Sequence, residues 1–350
     1  MATLRDKFGG CLLGAMIGDV AGAVVEAESP AFIARQYRSV DDILAAGDVE
    51  EFTGPAWRVG RYTDDTQMML CVAEWLAAGE VATPQRLLAR FSDAYERWRR
   101  YGPGTESILA LYREYPAEWR SLATSMFPHG SYGNGSAMRV APVGLAYFDD
   151  VARLAEIASA SSRVTHSHPL ALQGATLQAL AVATAIREQA PSAAEYLARL
   201  RAGLGPFEDL MQDVSRFAGA LDAIEQGLAR GATCAEMADV LGTGVDVFEA
   251  VPMAIYCFLR HAGSFAEVVH QACFIGGDTD TIASMAAAIA GAALGGAAIP
   301  AAWLGRVCEE RYTPAAVEAL AHQLLERYYP EAAQRRDGRR LDDDEADASY

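Results

Sequence analysis

Two short segments of this 350-residue chain bring carboxylates and hydroxyls together in a pattern that could bind a cation. One reads Thr63-Asp64-Asp65-Thr66, and the other reads Gly276-Gly277-Asp278-Thr279-Asp280-Thr281. Each leads into an apolar run typical of a helix, and carboxylates at a helix start can simply cap its free N–H groups. Neighbouring carboxylates repel one another, however, unless a proton or a cation lies between them. The presence of two such segments therefore favours a metal site over two capped helices.

The ligands that these segments offer are all oxygen atoms, which suit hard cations. The six cysteines are scattered, lie mostly in apolar sequence and form no Cys-x-x-Cys pair. We interpret them as reduced core thiols, which gives no support to a zinc or iron–sulfur site. Unpaired cysteines also lead us to expect a cytoplasmic protein.

The net charge of −17 argues against a nucleic-acid partner, because phosphate contacts need clustered lysine and arginine. Two apolar stretches resemble membrane segments. Asp19 interrupts the first, residues 9–25, and Pro300 breaks the second, residues 281–305. We interpret both stretches as buried helices and expect no membrane contact.

The elements that must hold the acidic segments are predicted to be helices. Hydrophobic residues make up 51% of the chain, alanine and glycine are abundant, and no segment shows the period-two alternation of a half-buried strand. The sequence therefore predicts one all-α domain over residues 1–330. Residues 331–350 are charged and lack an apolar pattern, so we expect a flexible tail there.

Glycines recur at every fourth position from Gly10 to Gly22 in the first predicted helix, residues 4–26, and so share one helix face. Because each glycine costs roughly 1 kcal/mol in a helix interior, this row suggests that another helix or a ligand packs against bare backbone. Glu26 continues the row by one more step. Asp19 lies beside the row, and the sequence leaves open whether it faces solvent or the site.

A glycine-rich loop, His129-Gly130-Ser131-Tyr132-Gly133-Asn134-Gly135-Ser136, opens another predicted helix. The backbone N–H groups of such loops can bind anions such as phosphate, although the loop could also be only a turn. It lacks the Gly-Lys-Ser/Thr ending of a P-loop, and no parallel-sheet pattern surrounds it. Further along, His166 and His168 could be capping or core histidines, or could contact a ligand.

Taken together, these motifs resemble those of the ADP-ribosylglycohydrolases, the family that contains dinitrogenase reductase-activating glycohydrolase and the ADP-ribosyl-acceptor hydrolases. The resemblance spans most of the chain, with the motifs in the same order. It implies an all-α, single-domain orthogonal helical bundle around a binuclear metal centre with two Mg²⁺ or Mn²⁺ ions, and we expect a monomer. The matching segments are Gly10–Gly14, Gly18-Asp19, Glu26, Tyr62–Thr66, Gly130–Gly135, Thr165-His166 and Gly276–Thr281.

The resemblance also implies roles for individual residues in hydrolysis at the anomeric carbon of ADP-ribose. Glu26, or a metal-bridging aspartate such as Asp65, would accept or deliver the proton. The implied metal ligands are Thr63, Asp64, Asp65, Asp278, Asp280 and Thr281. The residues implied to bind ADP-ribose are Gly130, Ser131, Tyr132, Gly133, Asn134, Ser136 and His166.

Several acceptors remain open. The glycine-rich loop, residues 249–260 and Gly277–Ile282 are most similar to the third ADP-ribosyl-acceptor hydrolase. That type implies an O-linked substrate: serine-ADP-ribose, poly(ADP-ribose) or O-acetyl-ADP-ribose. Residues 165–169 resemble the arginine-specific and bacterial branches at least as well, so ADP-ribosyl-arginine is the alternative substrate. An alternative of another class is a non-catalytic ADP-ribose-binding or crystallin-like protein.

Overall fold

The structure is a computed structural model that describes residues 2–49, 56–79, 82–187, 192–204 and 215–334. Within these ranges there is no β-strand, only helices, loops and two isolated β-bridges, so the predicted all-α fold is confirmed. A short helix occupies Pro330–Ala333, which extends regular structure just past the predicted domain boundary. The rest of the predicted tail, from residue 335 onward, lies outside the described residues.

Eighteen α-helices make up most of the described chain, joined by loops and short 3₁₀ turns. In order they are α1 Leu4–Gly22, α2 Pro30–Gln36, α3 Val40–Leu44, α4 Asp64–Ala77, α5 Pro84–Ala94, α6 Pro103–Glu114, α7 Ala141–Ala146, α8 Val151–Ser162, α9 Pro169–Arg187, α10 Ala193–Leu204, α11 Ser215–Ala229, α12 Cys234–Leu241, α13 Val247–Arg260, α14 Phe265–Phe274, α15 Thr279–Leu294, α16 Ala301–Leu304, α17 Pro314–Tyr328 and α18 Pro330–Ala333. Helices α1, α4, α13 and α15 position the candidate site.

Helices α1 and α15 lie antiparallel with their backbones in direct contact. A Cβ atom on Gly14 would lie 2.4 Å from the carbonyl oxygen of Ala287, and a Cβ atom on Gly18 would lie 2.2 Å from that of Ala283. These distances leave no room for a side chain larger than hydrogen. The glycine row therefore packs against bare backbone, as predicted, and its partner is a helix.

The antiparallel arrangement places the end of α1 beside the start of α15. Thr279 Oγ1 donates a hydrogen bond to the Gly22 carbonyl oxygen at 2.9 Å, and the Ala27 amide donates to the Gly277 carbonyl oxygen at 2.9 Å. Helix α1 ends at Gly22, so the prediction of a helix as far as Glu26 is wrong. The Gly22 carbonyl oxygen accepts from Thr279 of the neighbouring helix and from the Val25 amide in the turn that follows α1.

The remaining long helices enclose this central pair. Helices α9, α13 and α14 pack against α15, while α4 and α17 pack against α1. Helix α9 is long and apolar enough to cross a membrane, but 94% of its apolar window is buried inside the protein. Helices α1 and α15, which contain most of the two apolar stretches of the sequence, are buried as well. Five of the six free cysteines are buried, and Cys308 is half-buried.

Replacing Gly18 by alanine should destabilise the protein, because the new methyl group would meet backbone atoms of α15 that cannot rotate away. We expect a loss of about 3 kcal/mol in the free energy of unfolding. Gly9 on the same helix is the matched control, since its Cβ would lie 3.4 Å from the flexible Glu318 side chain. Gly9→Ala should stabilise the helix by up to about 1 kcal/mol. Urea unfolding measures both changes, and equal effects would contradict the backbone contact.

Candidate active site

Asp19 fixes the first acidic segment onto helix α1. Its carboxylate accepts hydrogen bonds from the Thr63 amide at 3.0 Å, the Thr63 hydroxyl at 2.9 Å and the Thr66 amide at 3.0 Å. Asp19 is fully buried and does not face solvent, a question that the sequence left open. Burial raises the pKa of its carboxyl group, and these hydrogen bonds act in the opposite direction. Asp19 thus caps α4 from another helix and sets where its first turn lies.

The second acidic segment is positioned by its two glycines. Gly276 and Gly277 have φ angles of 75° and 79°, in the left-handed region that favours glycine. A Cβ atom on Gly277 would lie 2.2 Å from the carbonyl oxygen of Thr243. Asp278 follows as the N-cap residue of α15, but its side chain caps no helix N–H group. That carboxylate instead accepts a hydrogen bond from the Asn134 side-chain amide.

The contact between α1 and α15 brings Glu26 together with the second acidic segment. Carboxylate oxygens of Glu26, Asp278 and Asp280 all lie within 4.8 Å of one another. Asp64 and Asp65, at the start of α4, line the same cleft and are buried. The structure therefore assembles carboxylates from α4, α15 and the loop that follows α1.

Burial and neighbouring carboxylates disfavour the charged form of these groups. Burial first, and then the adjacent carboxylates, raises the pKa of Asp64, Asp65 and Asp280 well above its usual value. The Oδ1 atom of Asp65 is buried and has no hydrogen-bond partner. A buried acceptor without a donor, surrounded by further oxygen ligands, fits a bound hard cation. The cluster can therefore bind a metal.

Arg100 lines the same cleft and brings a positive charge against Glu26. Its Nη1 atom lies 2.8 Å from Oε2 of Glu26 and donates to the Ala23 carbonyl oxygen at 2.8 Å. Burial raises the pKa of Glu26, and the Arg100 charge opposes that shift. Arg100 has no local signal in the sequence, because nothing distinguishes it from Arg97 and Arg99 beside it.

The glycine-rich loop is held in place by the start of α13. The Asn134 amide donates to the Val245 carbonyl oxygen at 2.9 Å, and the Val247 amide donates to the Tyr132 carbonyl oxygen at 3.1 Å. These two hydrogen bonds form an isolated antiparallel β-bridge and keep the loop extended. They place the side chain of Asn134 against Asp278, so the loop and the acidic cluster form one site.

Together these elements surround a cleft of about 320 Å³. Four predicted site residues are not part of its lining. Thr63 lies behind it against Asp19, Gly130 packs on His168, Tyr132 is 45% exposed, and Ser136 is buried beside α9. The ten predicted residues that line the cleft are Glu26, Asp64, Asp65, Ser131, Gly133, Asn134, His166, Asp278, Asp280 and Thr281.

His166 is held at the back of the cleft as a neutral hydrogen-bond donor. Arg139, which is fully buried, donates to the Thr165 hydroxyl at 2.8 Å, and this hydroxyl lies 2.8 Å from His166 Nδ1. If the Thr165 hydroxyl donates to Nδ1, the ring proton of His166 lies on Nε2. Burial, followed by the Arg139 charge, lowers the pKa of His166 to about 3. The Nε2 atom faces Gly133 and Gly135 of the loop.

Nearly the whole chain matches one known protein family. The sequence profile of the ADP-ribosylglycohydrolases matches residues 1–334. The chain belongs to this family. As an ADP-ribosylglycohydrolase it is an enzyme, a hydrolase that acts on glycosidic bonds of ADP-ribose.

Its relatives span most of the chain. The ADP-ribosylhydrolases ARH3 of Bos taurus and Homo sapiens are both 34% identical to it, and the alignments cover 85% of this chain and 87% and 88% of theirs. The ADP-ribosyl-[dinitrogen reductase] glycohydrolase of Rhodospirillum rubrum is 26% identical, over 87% of this chain and 91% of its own. A solved structure titled as an ADP-ribosylglycohydrolase-related protein complex matches 94% of this chain and 99% of its own, with a TM-score of 0.66 and 25% identity.

Replacing His166 by glutamine should flatten the dependence of stability on pH in mild acid. The folded protein holds His166 neutral with a pKa of about 3, whereas an unfolded histidine binds a proton near 6.5. Between these values the unfolded chain carries one more proton, so stability falls as pH falls, by up to about 1.4 kcal/mol per pH unit. Urea unfolding at pH 7, 6 and 5 should show a shallower decline for the variant.

The exposed His129 serves as the control for this measurement. His129→Gln should retain the wild-type slope, because it changes a surface residue and leaves His166 in place. Identical slopes for the wild type and His166→Gln would mean that His166 is protonated in the folded protein, contrary to the structure.

Magnesium should raise the thermal stability of the folded protein, because an ion that binds the assembled carboxylates binds the folded state only. A hundredfold excess over the dissociation constant corresponds to about 2.7 kcal/mol. Asp278→Ala should remain folded but lose most of this stabilisation, since it removes one of the three clustered carboxylates. Melting curves with and without Mg²⁺ provide the measurement. Glu114→Ala, an exposed acid on α6, is the control and should respond like the wild type.

Proposed function

We propose that this enzyme hydrolyses the bond between the anomeric carbon of ADP-ribose and an oxygen acceptor. Serine-ADP-ribose, poly(ADP-ribose) and O-acetyl-ADP-ribose are the candidate substrates. The proposal rests on one observation. Glu26 lies beside Asp278 and Asp280 at one end of a cleft that is lined by the glycine-rich loop. Such a cleft offers a proton-transfer group and a cation site beside an anion-binding loop.

Two Mg²⁺ or Mn²⁺ ions are the proposed cofactors, with ligands drawn from the two acidic segments. Oxygen-only donors support hard cations. Bound there, the ions would supply Lewis acidity toward the ribose hydroxyls and the attacking water. The Thr63 hydroxyl lies behind the cleft, 2.9 Å from Oδ1 of Asp19 and 3.3 Å from Oδ2 of Asp65. The proposed ligands are Thr63, Asp64, Asp65, Asp278, Asp280 and Thr281.

Glu26 is the proposed proton-transfer residue. Glycoside hydrolysis passes through an oxocarbenium-like transition state and needs one group to move a proton to or from the reacting oxygens. Glu26 lies on the loop after α1, not within either acidic segment, so its carboxylate can face the substrate while the aspartates hold cations. Asp65, with its unpartnered Oδ1 atom, is the second candidate for this role.

The diphosphate of ADP-ribose would bind to neutral donors. The carboxylates of the site repel phosphate. The diphosphate would therefore be held by N–H groups, which donate hydrogen bonds and add no negative charge. The loop from Ser131 to Gly135 and the Nε2–H group of His166 provide such donors. Phe127 and Tyr132, each 45% exposed near the loop, offer aromatic faces to the adenine base. This division of the cleft explains how an acidic protein can hold an anionic ligand.

Two observations support oxygen-linked over arginine-linked substrates. Identity is higher to the proteins named ADP-ribosylhydrolase ARH3, at 34%, than to the dinitrogen reductase glycohydrolase, at 26%. The motifs of the loop and of the second acidic segment also resemble the third hydrolase type. We further propose that the protein acts as a cytoplasmic monomer on ADP-ribosylated proteins or free ADP-ribose derivatives.

Parallel hydrolysis assays on serine-linked and arginine-linked ADP-ribosyl peptides test the proposed function. We expect release of ADP-ribose from the serine-linked peptide in Mg²⁺ and none in EDTA. Glu26→Gln should bind ADP-ribose with wild-type affinity but cleave the peptide at least about 100-fold more slowly, because it cannot transfer a proton. Calorimetry measures binding, and chromatography of released ADP-ribose measures cleavage.

Three results would count against parts of this scheme. Full activity in EDTA would remove the metal ions from the reaction. Full activity of Glu26→Gln would transfer the proton-moving role to another carboxylate, with Asp65 next to be tested. Tight binding of ADP-ribose with no hydrolysis of either peptide would favour the non-catalytic binder.

A further inference from the structure

Arg100 is held rigidly at the end of the cleft that contains Glu26. The residue has a φ angle of 60°, which is uncommon for a side chain other than glycine and fixes the direction of the Cβ atom. Its guanidinium donates to the Ala23 carbonyl oxygen, pairs with Glu26 and lies 4.2 Å from the centre of the Trp57 ring. These contacts come from two separate parts of the chain, the loop after α1 and Trp57. The charge of Arg100 therefore has a defined place beside the proton-transfer residue.

This charge changes the electrostatic balance of the cleft. Five carboxylates belong to the described lining, and Arg100 is its one permanent cation, while His166 is neutral. Two divalent cations bound to these carboxylates would leave the lining with no net charge. Without Arg100 the same loaded site would carry one negative charge and would attract a cationic group.

We propose that Arg100 is a specificity-determining residue that selects against cationic acceptors and so favours oxygen-linked over arginine-linked ADP-ribose. This inference rests on the proposed function, which places the bond to be broken beside Glu26. The guanidinium of an ADP-ribosyl-arginine substrate would seek the Glu26 carboxylate. Arg100 already occupies Oε2 of that carboxylate at 2.8 Å and repels a second guanidinium. An uncharged serine acceptor meets no such repulsion.

The test compares kcat/KM for serine-linked and arginine-linked ADP-ribosyl peptides in three variants. Arg100→Gln removes the charge but keeps a hydrogen-bond donor, and Arg100→Lys keeps the charge. A unit charge a few ångströms away in a partly solvated cleft changes the binding of another by about tenfold. We therefore expect the Gln variant to shift the ratio of the two kcat/KM values about tenfold toward the arginine-linked peptide, and the Lys variant to retain the wild-type ratio.

Arg97 provides the matched control. It lies three residues away on the same loop, its side chain is 88% exposed, and it pairs with Glu106 away from the cleft. Arg97→Gln removes the same charge from the protein and should leave the ratio unchanged. A tenfold shift in this variant too would assign the effect to the overall charge of the protein and overturn the proposal.

Two binding measurements on the substrate-free protein separate charge from other roles of Arg100. Because the guanidinium opposes a second cation at Glu26, Arg100→Gln should bind Mg²⁺ up to about tenfold more tightly, and Arg100→Lys should match the wild type. Weaker Mg²⁺ binding by the Gln variant would mean that Arg100 serves to hold Glu26 in place. An equal loss of affinity for ADP-ribose and for both peptides would mean that Arg100 binds the diphosphate. Either result would overturn the proposal.

The same assays distinguish a wrong proposed function from a wrong role for Arg100. If the wild type cleaves neither peptide, the proposed function fails, and the magnesium titrations alone decide whether Arg100 sets the charge of the cleft. If the wild type cleaves both peptides and Arg100→Gln leaves their ratio unchanged, the proposed function stands and the role of Arg100 is refuted.

Discussion

The backbone contact between α1 and α15 determines the geometry on which the rest of the structure depends. Helices normally pack 8–10 Å apart because side chains separate them. Here glycines at every fourth position of α1 bring carbonyl groups of α15 to where a Cβ atom would lie. Gly22 and Thr279 thereby meet at one end of the pair, and Glu26 comes to lie beside Asp278 and Asp280. A side chain inserted into the row would move both halves of the candidate site apart.

The carboxylates of the site are held together by donors on the surrounding scaffold. Like charges at this distance would otherwise move apart or bind protons. Asp19 receives its hydrogen bonds from the start of α4, and Asp278 receives one from Asn134. The two partners come from different segments of the chain. These neutral donors preorganise the aspartates before any cation arrives.

Local patterns in the sequence were sufficient to predict the helical fold, the close packing of the glycine row and the two acidic segments. Glycine spacing and adjacent carboxylates have direct physical consequences, so they can be recognised without coordinates. The end of α1 at Gly22 could not be predicted, because one donor to its carbonyl oxygen, the Thr279 hydroxyl, comes from the distant helix α15. Arg100 and the bonds that orient His166 through Thr165 depend on contacts between distant residues and have no local signal. Likewise, the loop motif does not show that Ser136 points away from the cleft, toward the Ala171 carbonyl oxygen of α9.

The pairing of α1 with α15 also has a consequence for how the chain folds during synthesis. Gly22 and Thr279, which are hydrogen-bonded, are separated by 257 positions in the sequence. The glycine face of α1 therefore cannot pack against α15 until most of the chain has left the ribosome. Contacts over such a separation carry a large loop-closure entropy and slow the final assembly. The candidate site is expected to be among the last parts of the molecule to form, and no amino-terminal fragment can contain it.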